Sequence, residues 1–117
     1  MGAGVLVVDD DAQFRLTARR LLEAGGFSIV GEAADGAAAL AAVRRLAPEV
    51  VLLDVQLPDM DGFEVCRRLA LDGAPVVVIL VSSRPATAYG GRLERSSARG
   101  FVAKEDLTGA AVRALLE

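Results

Sequence analysis

The chain has 117 residues, 53% of them hydrophobic and 25% charged, with 16 acids against 13 bases and a net charge of −3. That length fits one domain with a core of its own, and the balance excludes a disordered chain. No block of lysine and arginine stands out, which argues against a nucleic-acid groove. The single cysteine, Cys66, excludes an internal disulfide and fits a reducing compartment. The first apolar run stops at Val8 before three aspartates, too short and too acidic for a signal peptide or a membrane span. A soluble cytoplasmic protein is expected, with no membrane or direct nucleic-acid contact.

VLVV from Val5 predicts a first strand, closed by Asp9, Asp10 and Asp11. Phe14, Ala18, Leu21 and Leu22 then recur at helical spacing, with Arg15, Arg19 and Glu23 on the other face. Asp11 is placed to cap that helix and Gly25-Gly26 to end it. SIVGEA from Ser28 predicts a second strand that fades near Ala33-Ala34-Asp35. Leu40, Val43 and Ala47 stripe a second helix, stopped by Pro48. VVLLD from Val50 is a third strand; after it, Asp59 reads as a turn residue and Asp61-Gly62 opens a third helix, striped by Phe63, Cys66, Leu69 and Ala70. VVVILV from Val76 is a fourth strand, ending in Ser82-Ser83. Residues 84–97 should form a fourth helix, but Gly90-Gly91 sits in its middle. Each glycine costs about 1 kcal/mol against alanine, so this element should be short, irregular or mobile. GFVA from Gly100 is a fifth strand, closed by Lys104, and Leu107, Ala111, Ala114 and Leu115 stripe a last helix.

The strand starts are spaced by roughly 22–26 residues, one strand-plus-helix unit each. The first, third and fourth runs are continuous rather than alternating, so helices should cover both faces of a parallel sheet. The expected fold is α/β: a single five-stranded parallel sheet, doubly wound as (βα)5, in the flavodoxin-like order 2-1-3-4-5, with residues 1–117 as one domain. Ligands of such sheets bind beyond the carboxyl ends of the strands. Asp9 and Asp10, Asp54, Ser82 and Lys104 stand at four of those ends.

A lone carboxylate at the end of a buried strand is expensive. Asp54 beside Asp9 and Asp10 would be repelled by them unless a cation intervenes. A hard divalent ion suits such a set: magnesium, with manganese as the alternative, takes one or two carboxylates, waters and a phosphate oxygen. The main-chain carbonyl of Gln56 can complete its shell. Lys104 adds a compact positive charge. Asp54 then becomes a nucleophile towards a phosphoryl group, with Ser82 donating to a transferring oxygen.

VLVVDDD, LLDVQLPDMDG, LVSS and RGFVAK together resemble the receiver domain of bacterial two-component response regulators, in register along essentially the whole chain. The resemblance implies that Asp54 is the phosphorylated residue, Asp9 and Asp10 the acidic metal pair, Ser82 the hydroxyl switch, Phe101 the aromatic switch and Lys104 the conserved-type lysine. It implies a sensor histidine kinase or small phosphodonor as donor, magnesium as cofactor, and a partner-binding face made by the fourth helix, fifth strand and fifth helix. It implies no enzyme beyond self-phosphorylation and slow dephosphorylation. Where many receivers have proline after the lysine, Glu105 stands here, so a trans peptide is expected. That ending resembles receivers carrying helix-turn-helix outputs, so a DNA-binding output domain in a longer parent is one expectation. A homodimer is another, through Arg92, Glu94, Arg95, Glu105, Asp106 and Arg113. Arg84, two residues beyond Ser82, is placed to pair with the phosphate and hinder water.

The alternative is a pseudo-receiver that binds partners without phosphorylation; the intact acids, Ser82 and Lys104 weigh against it. Three aspartates after the first strand would repel a flavin phosphate, Gln56 stands where a haloacid-dehalogenase-type phosphatase needs a second acid, and no phosphate-binding glycine loop is present for a nucleotide hydrolase. An EF-hand fails because Pro58 and Val65 fall at ligand positions.

Overall fold

The five apolar runs become five parallel strands of one sheet in the computed structural model, which describes residues 3–117. They are β1 (Gly4–Val8), β2 (Ser28–Ala33), β3 (Val50–Asp54), β4 (Val77–Ser82) and β5 (Gly100–Ala103). The order across the sheet is β2-β1-β3-β4-β5, as expected. Between them run helices α1 (Ala12–Ala24), α2 (Gly36–Leu46), α3 (Gly62–Leu71), the single turn α4 (Arg92–Arg95) and α5 (Gly109–Leu116). Among the described residues no helix is long and apolar enough to cross a membrane.

The continuous apolar strands have the cause inferred from them. In β1, Leu6 and Val8 face one core with Val51, Leu53, Val78 and Leu80, covered by α2 and α3. Val5 and Val7 face the other with Val50, Leu52, Ile79 and Val81, covered by α1 and α5. Burying one such side chain contributes about 1.5–3 kcal/mol. Strand β2 is an edge strand, and its exposure alternates along SIVGEA.

The helix caps follow the sequence. Asp11, Asp35, Asp61 and Thr108 each accept a hydrogen bond from a main-chain N–H in the first turn of α1, α2, α3 and α5. The helix stripes need correction. Leu21, Ala70 and Ala114 are exposed, Ala47 is the left-handed cap of α2, and Leu107 is buried just ahead of α5. Val65 and Val112 are buried in their place. In helices this rich in alanine, apolar spacing marks the inner face poorly.

The fourth connection is as irregular as its glycines predict. It holds a 3-10 turn at Ala86–Tyr89, then Gly90 at φ +55°, then the one turn of α4. No residue from 83 to 99 is fully buried.

Candidate functional site

Strand register delivers the site. Val8 pairs with Leu53, Asp54 with Val81 and Ser82 with Ala103, so Asp9, Asp54, Ser82 and Lys104 all stand at one rim of the sheet. The N–H of Asp9 donates to the Ala33 carbonyl at 3.0 Å and carries the ladder one residue past β1. Asp9 and Ser82 are fully buried and Asp54 is 4% exposed, while Asp10 is exposed.

Lys104 Nζ reaches Asp9 Oδ2 at 2.6 Å and Asp54 Oδ2 at 3.5 Å. It also lies 4.3 Å from the centroid of the Phe14 ring. Asp9 Oδ1 accepts from the N–H of Asp11 at 2.8 Å, and Asp54 Oδ1 from that of Gln56 at 3.2 Å. Arg15 Nη1 donates to the Asp9 carbonyl at 2.6 Å and anchors the end of β1. Burial, then the charge of Asp9, pushes the Asp54 carboxyl up to about 6 against the pull of Lys104 and of the Gln56 N–H. Burial draws the Lys104 ammonium down, but its bond to Asp9 and the charges of Asp54 and Asp9 outweigh that and leave it raised.

Carboxylate oxygens of Asp9, Asp10 and Asp54 lie within 4.8 Å of one another. One lysine faces these three carboxylates, and Asp9 Oδ2, though ion-paired to it, has no hydrogen-bond donor aligned on it. This all-oxygen donor set with surplus negative charge fits a hard divalent cation.

The loop from β3 to α3 is held close. Gly62 N–H donates to the Val55 carbonyl at 2.7 Å, and a Cβ on Gly62 would stand 2.6 Å from the Asp54 carbonyl oxygen. Only glycine lets α3 start this near the strand end. The Asp59 carboxylate accepts from the N–H groups of Gly36 and Ala37 at 2.7 and 2.9 Å. Those two bonds tie the loop to the start of α2 and hold the Asp59 carboxyl below the usual range.

The sequence pattern of the response regulator receiver domain matches residues 5–114. The chain belongs to the response regulator receiver family. This receiver is 36% identical over 102 residues to BvgA, a virulence-factor transcription regulator of Bordetella pertussis, covering 87% of the chain and 49% of BvgA. It is 44% identical over 108 residues to a protein-glutamate methylesterase/protein-glutamine glutaminase of Anaeromyxobacter dehalogenans, covering 92% of the chain and 31% of that protein. The chain therefore spans half or less of the length of these curated relatives. Its fold matches the signal receiver domain of the response regulator NarL from Mycobacterium tuberculosis with a TM-score of 0.87 at 32% identity, covering 98% of this chain and 97% of that one.

The receiver's remaining sequence-predicted residues take these positions. Ser82 makes no hydrogen bond to Asp54: its Oγ accepts from the Arg84 N–H at 3.0 Å and lies 2.5 Å from the Tyr89 hydroxyl. Phe101 is half-buried against the α2–α3 core, with its ring centroid 6.1 Å from that of Tyr89. Arg84 is exposed, and its guanidinium has no hydrogen bond or ion pair among the described residues. The Lys104–Glu105 peptide is trans. Two residues expected at a dimer face are engaged within the chain. Arg92 pairs with Asp61 at 2.9 Å and covers the Phe63 ring, and Arg113 bonds the Gly25 carbonyl and covers Phe27. Tyr89, Phe14 and Arg15 are members of the site that sequence reading left out. Their roles depend on contacts across the fold, which no local spacing announces.

Proposed function

We propose that residues 1–117 act as one receiver domain that accepts a phosphoryl group on Asp54 from a sensor histidine kinase or a small phosphodonor. The observation that carries this reading is the placement of Asp54, 4% exposed at the end of β3, within reach of Lys104 and beside Asp9 and Asp10. With its carboxyl pushed up to about 6, Asp54 is mostly ionised at neutral pH and available as a nucleophile. One of its oxygens attacks phosphorus, the bond from phosphorus to the donor histidine nitrogen breaks, and the electron pair stays with the imidazole. The product is an aspartyl phosphate.

Lys104, held by Asp9, keeps a positive charge beside the reacting carboxylate and would pair with a phosphoryl oxygen. Asp9, Asp10 and Asp54, with the main-chain carbonyl of Gln56, would hold magnesium or manganese, which supplies positive charge opposite the transferring oxygens when bound. Ser82 supplies a hydroxyl donor to a phosphoryl oxygen, and Phe101 follows it inward. The changed face of α4, β5 and α5 then meets its partner: a second copy of this chain, or a DNA-binding output domain of a longer parent, as the share of BvgA outside the match suggests. The domain acts in the cytoplasm beside its kinase.

Intact mass after incubation with acetyl phosphate and magnesium tests the reading. The wild type should gain one phosphoryl group, Asp54→Asn none, and a chelator should abolish the gain. A folded wild type that binds magnesium yet never gains the group from acetyl phosphate or a histidine kinase would overturn it in favour of a phosphorylation-independent binding module.

A further inference from the structure

In the first part of the segment after β4, one side chain turns back onto the sheet, and no receiver motif in the sequence accounts for it. Every residue from Ser83 to Ala88 is exposed; Tyr89 is the first that turns inward. Its ring packs on the α2–α3 core between Phe63, at a centroid distance of 5.7 Å, and Phe101, at 6.1 Å. Its hydroxyl ends 2.5 Å from Ser82 Oγ. One side chain thus touches both Ser82 and Phe101.

Ser82 Oγ is fully buried, and its two polar partners, Arg84 N–H and Tyr89 Oη, both belong to the segment that follows β4. Neither belongs to Asp54. Ser82 Oγ makes no hydrogen bond to Asp54 in this rotamer, whichever of the two hydroxyls donates in its pair with Tyr89. For Oγ to turn towards a phosphoryl oxygen on Asp54, it has to turn away from Tyr89. We propose that Tyr89 is a positioning residue for Ser82: its hydroxyl latches Ser82 in the unphosphorylated state, and release of that latch transmits phosphorylation to residues 83–99. This rests on the phosphoacceptor reading of Asp54.

The mechanism has a direction. While the latch is closed, Ser82 is withheld from the phosphoryl group and the 3-10 turn at Ala86–Tyr89 is pinned to the sheet. When Ser82 turns, Tyr89 loses its one polar tie to the sheet. Gly90, at φ +55° with open space where a Cβ would stand, follows it immediately and offers a joint about which the turn can move. The latch opposes activation, so removing the Tyr89 hydroxyl should favour the activated state.

Tyr89→Phe is the clean probe, because it keeps the ring between Phe63 and Phe101. A net hydroxyl hydrogen bond corresponds to a change of roughly threefold to tenfold in an equilibrium constant. Calorimetric titration with beryllium fluoride in magnesium, which mimics the aspartyl phosphate, should show Tyr89→Phe binding roughly threefold to tenfold more tightly than wild type. Without beryllium fluoride, Tyr89→Phe should melt slightly below wild type, because it lacks the bond that favours the unphosphorylated fold. In a Ser82→Ala background, Tyr89→Phe should change nothing; a role in packing alone would act equally in both backgrounds.

The latch also has its own reporter, since Tyr89 is the single tyrosine and the chain has no tryptophan. Tyrosine emission of the wild type should change on beryllium fluoride binding, and Ser82→Ala should show the changed emission without it. Equal or weaker binding by Tyr89→Phe, while wild type binds, would overturn the latch and leave the phosphoacceptor reading standing. If wild type fails to bind beryllium fluoride at all, the phosphoacceptor reading falls and takes the latch with it.

Discussion

Asp54 is stabilised by little and crowded by much. Burial and the Asp9 charge disfavour its ionised form, and Lys104 and the Gln56 N–H only partly offset them, which is why the carboxyl stands at about 6 rather than near 3.8. A raised carboxyl has a defined consequence for stability. Between about 3.8 and about 6 the native state holds a proton that the unfolded chain has lost, so metal-free stability falls as pH rises through that window. Above it the charged side chain weighs against the fold in full. Asp54→Asn should therefore be more stable than wild type at pH 7 in a chelator, by on the order of 1 kcal/mol. The advantage should shrink as pH is lowered towards 4. Thermal melts of both proteins across pH 4–7 check this, and equal melting at pH 7 would contradict the electrostatic account. At the same scale, Arg84→Ala should hasten loss of the phosphoryl group severalfold. Arg84 is exposed, follows Ser82 by two residues, and its guanidinium has no partner among the described residues. An unchanged dephosphorylation rate would remove it from the site.

The elements explain how the chemistry at the rim of the sheet is held still. The loop from β3 to α3 is fixed by the close approach of Gly62 to the backbone of Asp54 and Val55, and by Asp59 gripping the start of α2. A methyl at position 62 meets main-chain atoms that cannot rotate away, so Gly62→Ala should cost about 1–3 kcal/mol. It should also slow labelling by acetyl phosphate, because relief of the clash moves the strand end that carries Asp54. Urea unfolding and labelling time courses read the two effects separately. This loop also marks the boundary of what the sequence discloses. The Asp61-Gly62 pair is legible as a helix start because capping is local. Asp9, Asp54, Ser82 and Lys104 are legible as one site because parallel register puts strand ends at one level. Asp59 reads only as a turn residue, since its true partners, Gly36 and Ala37, lie on another helix. Tyr89 is missed for the same reason: its bond to Ser82 exists only once the segment after β4 has folded back. Ala70 and Ala114 fit the spacing of an inner face yet are exposed, because alanine carries too little area to show which way a helix turns.

At the scale of the whole molecule, stability is unevenly spread, and the uneven part coincides with the switch. Strands β1, β3 and β4 carry fully buried side chains on both faces of the sheet, from Val5 to Val8, Val51 to Leu53 and Ile79 to Val81. Their amides can exchange with solvent only when the sheet opens, at a cost approaching that of global unfolding. Residues 83–99 bury no side chain fully and hold only a 3-10 turn and a single helical turn. Such a segment opens locally at small cost. Native-state hydrogen exchange should therefore find residues 83–98 exchanging orders of magnitude faster than the central strands, while the Arg99 N–H, bonded to the Val78 carbonyl of β4, is held with the sheet. Beryllium fluoride with magnesium should slow exchange in the loop from β3 to α3, where the ligand sits. It should redistribute exchange within residues 83–99 and leave β1 and β3 unchanged. Uniform protection across the chain would mean that the segment after β4 is rigidly joined to the sheet. It would then have no second arrangement for phosphorylation of Asp54 to select.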